Sequence, residues 1–317
     1  MGRYIGRRLL HAVPILFGVT VLTFAVLAAA PGDPALLLIS PERQSTADLG
    51  ALRSELGLNR PLPVQYGAMM ANLVTGRLRS FREQRPTLSM VSEALGPTSL
   101  LAGVALLAAL VLAVPIALAS ALSPYSPLDH AVTLLSLLGV ALPSFWFALV
   151  LIFLFTDRLA WLPASGIRPA GTSGYAPALV WPYLVMPAVV LCLSILPLLV
   201  RYARSALLET LHEDHVLVAR AKGLTAARVL GRHVFRNSLI PVVTVVGLLI
   251  PNLLSGALVV ETIFAIPGLG RLAVAGALGR DYPVVMTTTV VGAVLVVATN
   301  LATDVSYALL DPRIRFD

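Results

Sequence analysis

The chain has one cysteine, one lysine and little charge of either sign. Cys192 alone forms no disulfide within the chain and builds no cysteine-based metal site. Set in an apolar run, it reads as a small buried hydrophobe. Lys222, the single lysine, precedes Gly223, whereas a phosphate-binding P-loop needs lysine followed by serine or threonine after a glycine-rich turn. The chain therefore has no P-loop, and any nucleotide energy must come from another subunit. Charged residues make up 12% of the 317 residues, about half the share of a soluble domain, and hydrophobic ones 57%. The formal charge of +7 comes almost wholly from arginines that flank apolar runs instead of forming a basic face on a soluble domain. That placement argues against a nucleic-acid partner and fits the excess of basic residues on the cytoplasmic side of membrane segments.

What is present is a series of long apolar runs. Six have about the length of a bilayer-spanning helix: 9–30, 97–122, 131–156, 181–200, 239–260 and 283–307. The expected fold is an all-α polytopic membrane protein with six transmembrane helices and both termini in the cytoplasm. The first run follows Arg3, Arg7 and Arg8 and ends at Ala28-Ala29-Ala30, as a secretory signal does. It exceeds the roughly 7–15 residues of a signal core and is read as a retained span. The three arginines place the N-terminus in the cytoplasm. Six spans then put 201–236 in the cytoplasm too. There Arg201, Arg204, Arg220, Lys222, Arg228, Arg232 and Arg236 outnumber Glu209, Glu213 and Asp214. Pro115, Pro143, Pro197 and Pro251 lie inside runs and mark kinks, which membrane helices tolerate. The organisation expected is a tail and first span over 1–30, an extracytoplasmic segment over 31–96, and a five-helix core over 97–317 that contains the 201–236 loop.

Segment 31–96 falls outside despite its arginines, because loops of about 60 residues translocate largely regardless of charge. Within it, 46–56 has a helical pattern, with Gly57 as a stop and Pro61 and Pro63 beyond it. Asp33, beside Pro34, reads as a cap. In the 201–236 insert, Leu207, Leu208, Leu211, Val218 and Ala219 recur at helical spacing while Glu209, Glu213 and Asp214 fall elsewhere, which predicts one amphipathic helix. Gly223 is placed as its left-handed stop, and Thr225 as the N-cap of a second helix leading to the fifth span. Such a pair of helices suits a grip by a partner; the alternative is a hairpin lying on the membrane surface. His212 and His215 share a helical face, but two imidazoles without a third ligand make a poor zinc site, and no metal site is expected.

Ala219-Arg220-Ala221-Lys222-Gly223-Leu224, followed by His233 and Arg236-Asn237-Ser238-Leu239-Ile240-Pro241, resembles the cytoplasmic loop of ABC importer permeases. It is most similar to the dipeptide/oligopeptide/nickel subfamily. The wider family's Glu-Ala-Ala opening falls on Leu217-Val218-Ala219, where only the last alanine survives. Further matches follow in order along the chain. They are Pro31-Gly32-Asp33-Pro34, Leu56-Gly57-Leu58-Asn59-Arg60-Pro61, Pro143-Ser144-Phe145-Trp146 and Leu162-Pro163-Ala164-Ser165-Gly166. Glu261-Thr262-Ile263-Phe264, Pro267-Gly268-Leu269-Gly270 and Leu310-Asp311-Pro312-Arg313-Ile314-Arg315 complete the series. The pattern resembles the first of the subfamily's two permeases. One departure reverses local charge: where the subfamily has Gly-Asp-Leu-Gly, this chain has Gly76-Arg77-Leu78-Arg79.

The resemblance implies a type I ABC importer permease in the cell membrane. The implied partners are a second permease subunit in a heterodimer, two cytoplasmic ABC ATPase subunits holding ATP and magnesium, and an extracytoplasmic substrate-binding protein. This chain itself would bind no cofactor. The loop would seat in a groove on an ATPase, with Leu207, Leu211 and Val218 as apolar anchors and Glu209, Glu213, Arg220 and Lys222 as a polar rim. Ala219 and Ala221 complete that surface and Gly223 its turn. At the outer mouth, Glu261, Phe264, Pro267 and Gly268 are candidates for gating or docking, the alternative being a plain connecting loop. The implied cargo is a dipeptide or oligopeptide; nickel or another small solute is the alternative within the subfamily. An ion-coupled secondary transporter is the rival from another class. It is disfavoured because Asp157, Glu261 and Asp304 fall toward span ends, leaving span interiors almost uncharged. An intramembrane enzyme is disfavoured because no span holds a nucleophile and base at useful spacing.

Overall fold

The computed structural model describes residues 2–38 and 46–310, apart from 170, 173 and 175. The apolar runs become helices because a bilayer offers no water to an unpaired backbone N–H or C=O. In chain order the first helices are α1 (Gly2–Ala29), the short α2 (Pro34–Leu38), α3 (Thr46–Glu55), α4 (Leu62–Val74) and α5 (Thr87–Leu122). α6 (Pro127–Ala141) and α7 (Ser144–Ile152) follow, and α7 widens into a π-helical stretch at Phe153–Arg158. Next come α8 (Pro177–Leu211), α9 (Asp214–Ala221) and α10 (Ala226–Arg228), which passes through a π-helical Val229–Val234 into α11 (Phe235–Ile263). α12 (Leu269–Leu278) and α13 (Tyr282–Leu310) complete the order. Among the described residues, Ile5–Ala29, Thr87–Leu122, Pro177–Leu211 and Tyr282–Ser306 are each long and apolar enough to cross a membrane, and the α6–α7 pair raises the number to five. α11 covers the run expected at 239–260.

The run at 131–156 is not one helix. The two helical arms meet at 95°. Proline disfavours helical geometry in the residue before it, and Leu142 is extended at φ −78°, ψ 121°. The kink expected at Pro143 is therefore a full break, whereas Pro197 and Pro251 sit inside continuous helices.

The chain divides into two compact units, one of Met1–Thr98 with Ile266–Val297 and the other of Ser99–Ala265 with Ala298–Asp317. In the first, α3 ends as expected at Gly57, whose φ of +71° is left-handed. The Gly57 N–H donates to Ser54 O at 3.1 Å and the Leu58 N–H to Arg53 O at 2.8 Å, which satisfies two terminal carbonyls. Pro61 and Pro63 do not merely follow that stop. Pro61 is the N-cap of α4 and Pro63 lies in its first turn, where a missing N–H costs nothing. Asp33 caps α2 by accepting the Ala35 N–H at 3.0 Å, and it pairs with Arg53 of α3 at 2.5 Å. Phe24, Met69, Leu73, Leu78, Tyr282 and Met286 form a core.

A buried aspartate that the sequence did not single out locks this unit together. Asp281 is 3% exposed and accepts hydrogen bonds from Ser80 Oγ and from the Phe81 N–H at 3.0 Å. It also accepts the Val284 N–H at 3.4 Å, in the first turn of α13. One carboxylate thus fixes both the 80–82 loop and a helix start.

In the second unit α8 is the central element, with α6, α7 and α11 packed on it. α11 and α13 approach closely at Gly247, where an added Cβ would lie 2.2 Å from Thr303 Oγ1. Small residues allow such approach between membrane helices.

Candidate functional site

α8 does not stop at the expected span end but continues to Leu211. The chain then turns at His212 and Glu213, where Glu213 adopts extended geometry (ψ 148°) as the N-cap of α9. The single amphipathic helix expected through Leu207 and Ala219 is therefore two helices with a corner. The corner closes with the His212 N–H on Glu209 O and the Glu213 N–H on Thr210 O, both at 3.2 Å. His212 Nδ1 lies 2.7 Å from Leu208 O, and His215 Nδ1 lies 3.0 Å from Glu213 Oε2. The two imidazoles have different partners.

α9 ends where the sequence placed its stop. Gly223 has φ +77°. Its N–H donates to Arg220 O at 2.9 Å, and the Leu224 N–H reaches back to Ala219 O at 3.4 Å. This is the two-bond closure of a helix that ends in a left-handed residue. Leu224 packs on the cluster that contains Ala219, supplying the apolar contact that accompanies such an ending. Thr225 holds the N-cap position of α10 but makes no side-chain cap bond.

The corner changes which residues face outward. Leu207, 4% exposed, is buried with Ala117, Ala121, Ala203, Val216 and Ala219, and Leu208 and Leu211 pack against them. Leu207 and Leu211 thus hold the segment onto its own chain and are not free anchors for a partner. The outward apolar residues are Leu217 (54% exposed) and Val218 (52% exposed). Glu209, Glu213, Arg220, Ala221, Lys222 and Gly223 are exposed around them. Val216 and Leu217 were missed because spacing was counted through the corner, where the helical phase resets. Arg43, the side chains of Arg232, His233, Arg236, Asn237, Leu239 and Ile240, and residues 311–315 lie outside the described residues.

A buried ion pair sits at the base of this segment. Arg204 on α8 donates from Nε to Asp129 Oδ1 at 2.7 Å and from its second guanidinium arm to Oδ2 at 2.8 Å. Ser120 Oγ also bonds Asp129 and accepts from Arg204 Nε at 2.9 Å. The parallel two-bond geometry is the strong form of an arginine–carboxylate contact. It ties α5 and α6 to the part of α8 that carries the corner.

The four residues expected at the outer mouth have different settings. Glu261 is 0% exposed and Phe264 1% exposed; Gly268 is buried and Pro267 exposed. The Phe264 carbonyl accepts the Gly166 N–H at 2.7 Å, so two motifs far apart in sequence meet there. Gly268 is the N-cap of α12, and the Leu269 N–H donates to Thr98 Oγ1 at 2.8 Å. Only Pro267 of the four presents surface. α12 itself was not read from the sequence, although Leu269 and Leu272, three apart, pack against the Val91 and Ala94 cluster.

Comparison with known proteins agrees along the whole chain. Residues 113–316 match the family of binding-protein-dependent transport system inner membrane components, and residues 1–92 match the N-terminal region of such membrane components. The oligopeptide transport system permease protein AppB of Bacillus subtilis is 42% identical over 318 residues, covering 100% of both chains. The dipeptide transport system permease protein DppB of Alkalihalophilus pseudofirmus is 35% identical, covering 99% of each. A chain of the MetNI methionine ABC transporter superposes with a TM-score of 0.59 at 16% identity, over 72% of this chain and 99% of that one, a likeness of fold. The chain belongs to the family of binding-protein-dependent transport system inner membrane components, as a multi-pass protein of the cell membrane.

Proposed function

We propose that this chain is a permease subunit of an ATP-driven importer of peptides, with six spans and both termini in the cytoplasm. Its full-length similarity to an oligopeptide permease carries the reading. The partners are a second permease, two cytoplasmic ATPase subunits that hold ATP and magnesium, and an extracytoplasmic binding protein that delivers the peptide.

In this reading α9 and the Gly223 turn seat in a groove on an ATPase subunit. Leu217 and Val218 enter its apolar floor, while Glu209, Glu213, Arg220 and Lys222 form the polar rim, the usual anatomy of an interface. Ala219 packs inward and Ala221 lies between Arg220 and Lys222. Closure of the ATPases moves this segment, and the Asp129–Arg204 pair passes the movement to α5 and α6 as a near-rigid displacement. Of the candidates for the outer mouth, Glu261, Phe264 and Gly268 are buried, and Pro267 offers a surface. The test is uptake of a labelled oligopeptide by proteoliposomes containing the complete transporter. Uptake is expected only with ATP on the ATPase side and binding protein on the other. Uptake driven by a proton gradient alone overturns the reading.

A further inference from the structure

The first unit carries a pocket of about 320 Å³ lined by Arg60, Arg77, Arg79, Asn72 and Phe81, with Glu55 as its one carboxylate. Its sign follows from local geometry. Arg79 pairs with Pro86 in an antiparallel bridge, and side chains alternate along extended backbone. Leu78 is buried in the Phe24 and Met69 core, whereas Arg77 and Arg79 on either side of it are exposed and line the pocket. Both lie in Gly76-Arg77-Leu78-Arg79, where the subfamily it resembles has Gly-Asp-Leu-Gly.

The pocket is also held in shape. Asp281 accepts the Phe81 N–H at 3.0 Å and the Arg82 N–H at 3.3 Å, and Arg79 Nη1 donates to Gln84 O at 2.9 Å. None of the three arginines forms an ion pair among the described residues. A guanidinium is a planar fork matched to a carboxylate, and a fixed loop lowers the ordering cost of binding.

We propose that this pocket receives a carboxylate side chain from an acidic patch on the extracytoplasmic binding protein, and that Arg77 and Arg79 determine which binding protein docks. The inference rests on the permease reading above, which supplies the binding protein and puts segment 31–96, with the pocket's three arginines, outside the membrane. Three arginines against one glutamate make a patch that selects partners by charge and accelerates their encounter. A relative with an acidic residue at the position of Arg77 would repel the same partner.

The test uses the complete transporter in lipid nanodiscs and its purified binding protein, with affinity read by biolayer interferometry at about 50 and about 300 mM salt, either side of strong screening. Wild-type docking is expected to weaken steeply with salt. Two double variants, Arg77→Gln with Arg79→Gln and Arg77→Glu with Arg79→Glu, are expected to lose about tenfold or more at low salt and most of the salt dependence. Arg85→Gln, which removes only the exposed pairs with Glu83 and Glu93, is expected to dock as wild type. Salt-independent wild-type docking, or wild-type affinity in both double variants, overturns the proposal. So does normal docking combined with loss of binding to free trialanine, which would make the pocket a cargo subsite. Absence of binding-protein-stimulated ATP hydrolysis in the wild type would instead sink the permease reading, and the two failures are distinguishable.

Discussion

Replacing Gly223 separates backbone strain from bulk in the 201–236 segment. Its φ is +77°, and nothing lies within 4 Å of a Cβ added there. A substitution therefore meets no clash, and its cost is conformational, about 1–3 kcal/mol for a non-glycine residue held left-handed. Relief requires breaking the bonds to Arg220 O and Ala219 O, each contributing about 0.5–1.5 kcal/mol. The two routes cost similar amounts, so the turn is strained or open in either case. A loss of that size leaves the protein folded, but it shifts a local equilibrium by roughly 5–150-fold. Asparagine tolerates left-handed geometry better than alanine, and β-branched valine worst. The expected order of binding-protein-stimulated ATP hydrolysis is Gly, then Gly223→Asn, then Gly223→Ala, with Gly223→Val near the unstimulated rate at equal membrane content. If bulk in the groove were decisive, asparagine would be worse than alanine. That inversion, or normal coupling in Gly223→Val, refutes the argument.

Two further substitutions probe the packing beneath this segment. Asp129→Ala strands Arg204 in a site where the side chains are 6% and 28% exposed; breaking a buried pair costs about 3–5 kcal/mol. The double variant with Arg204→Ala should cost less than the sum of the singles in thermal unfolding followed by size exclusion, and strict additivity would count against the pair. Gly247→Ala drives a methyl into Thr303, with overpacking worth about 1–3 kcal/mol. Because Thr303 Cβ itself would lie 2.7 Å from that methyl, only Thr303→Gly clears the space; adding it should restore part of the melting temperature, and no recovery would mean that α11 and α13 do not meet there.

Local signals survived into the fold where one residue carried them alone. Gly57 and Gly223 were legible as stops because left-handed backbone favours glycine whatever surrounds it. Asp33 was legible because a carboxylate beside proline needs only its own chain to cap. The apolar runs were legible by length. Signals that depend on an element's continuity were not. Pro61 and Pro63 read as the end of α3 although they open α4, since proline suits both places. Spacing through His212 assigned Leu207 and Leu211 to the same surface as Val218, and the corner there rotates α9 away from that phase. Asp281 gave no signal of its own, because its partners Ser80 and Phe81 are about 200 positions distant in sequence.

The unbroken length of α8 has a consequence for distance. Its 35 residues extend about 52 Å at 1.5 Å per residue, against a hydrocarbon core of about 30 Å. The helix is therefore about 20 Å longer than the hydrocarbon core is thick. A tilt of roughly 10° about one end displaces the other by about 9 Å over that length. On the permease reading proposed above, a small angular change at the corner by His212 is thus read out as a displacement of several ångströms at the opposite end of α8, with no residue along the way changing its own backbone conformation.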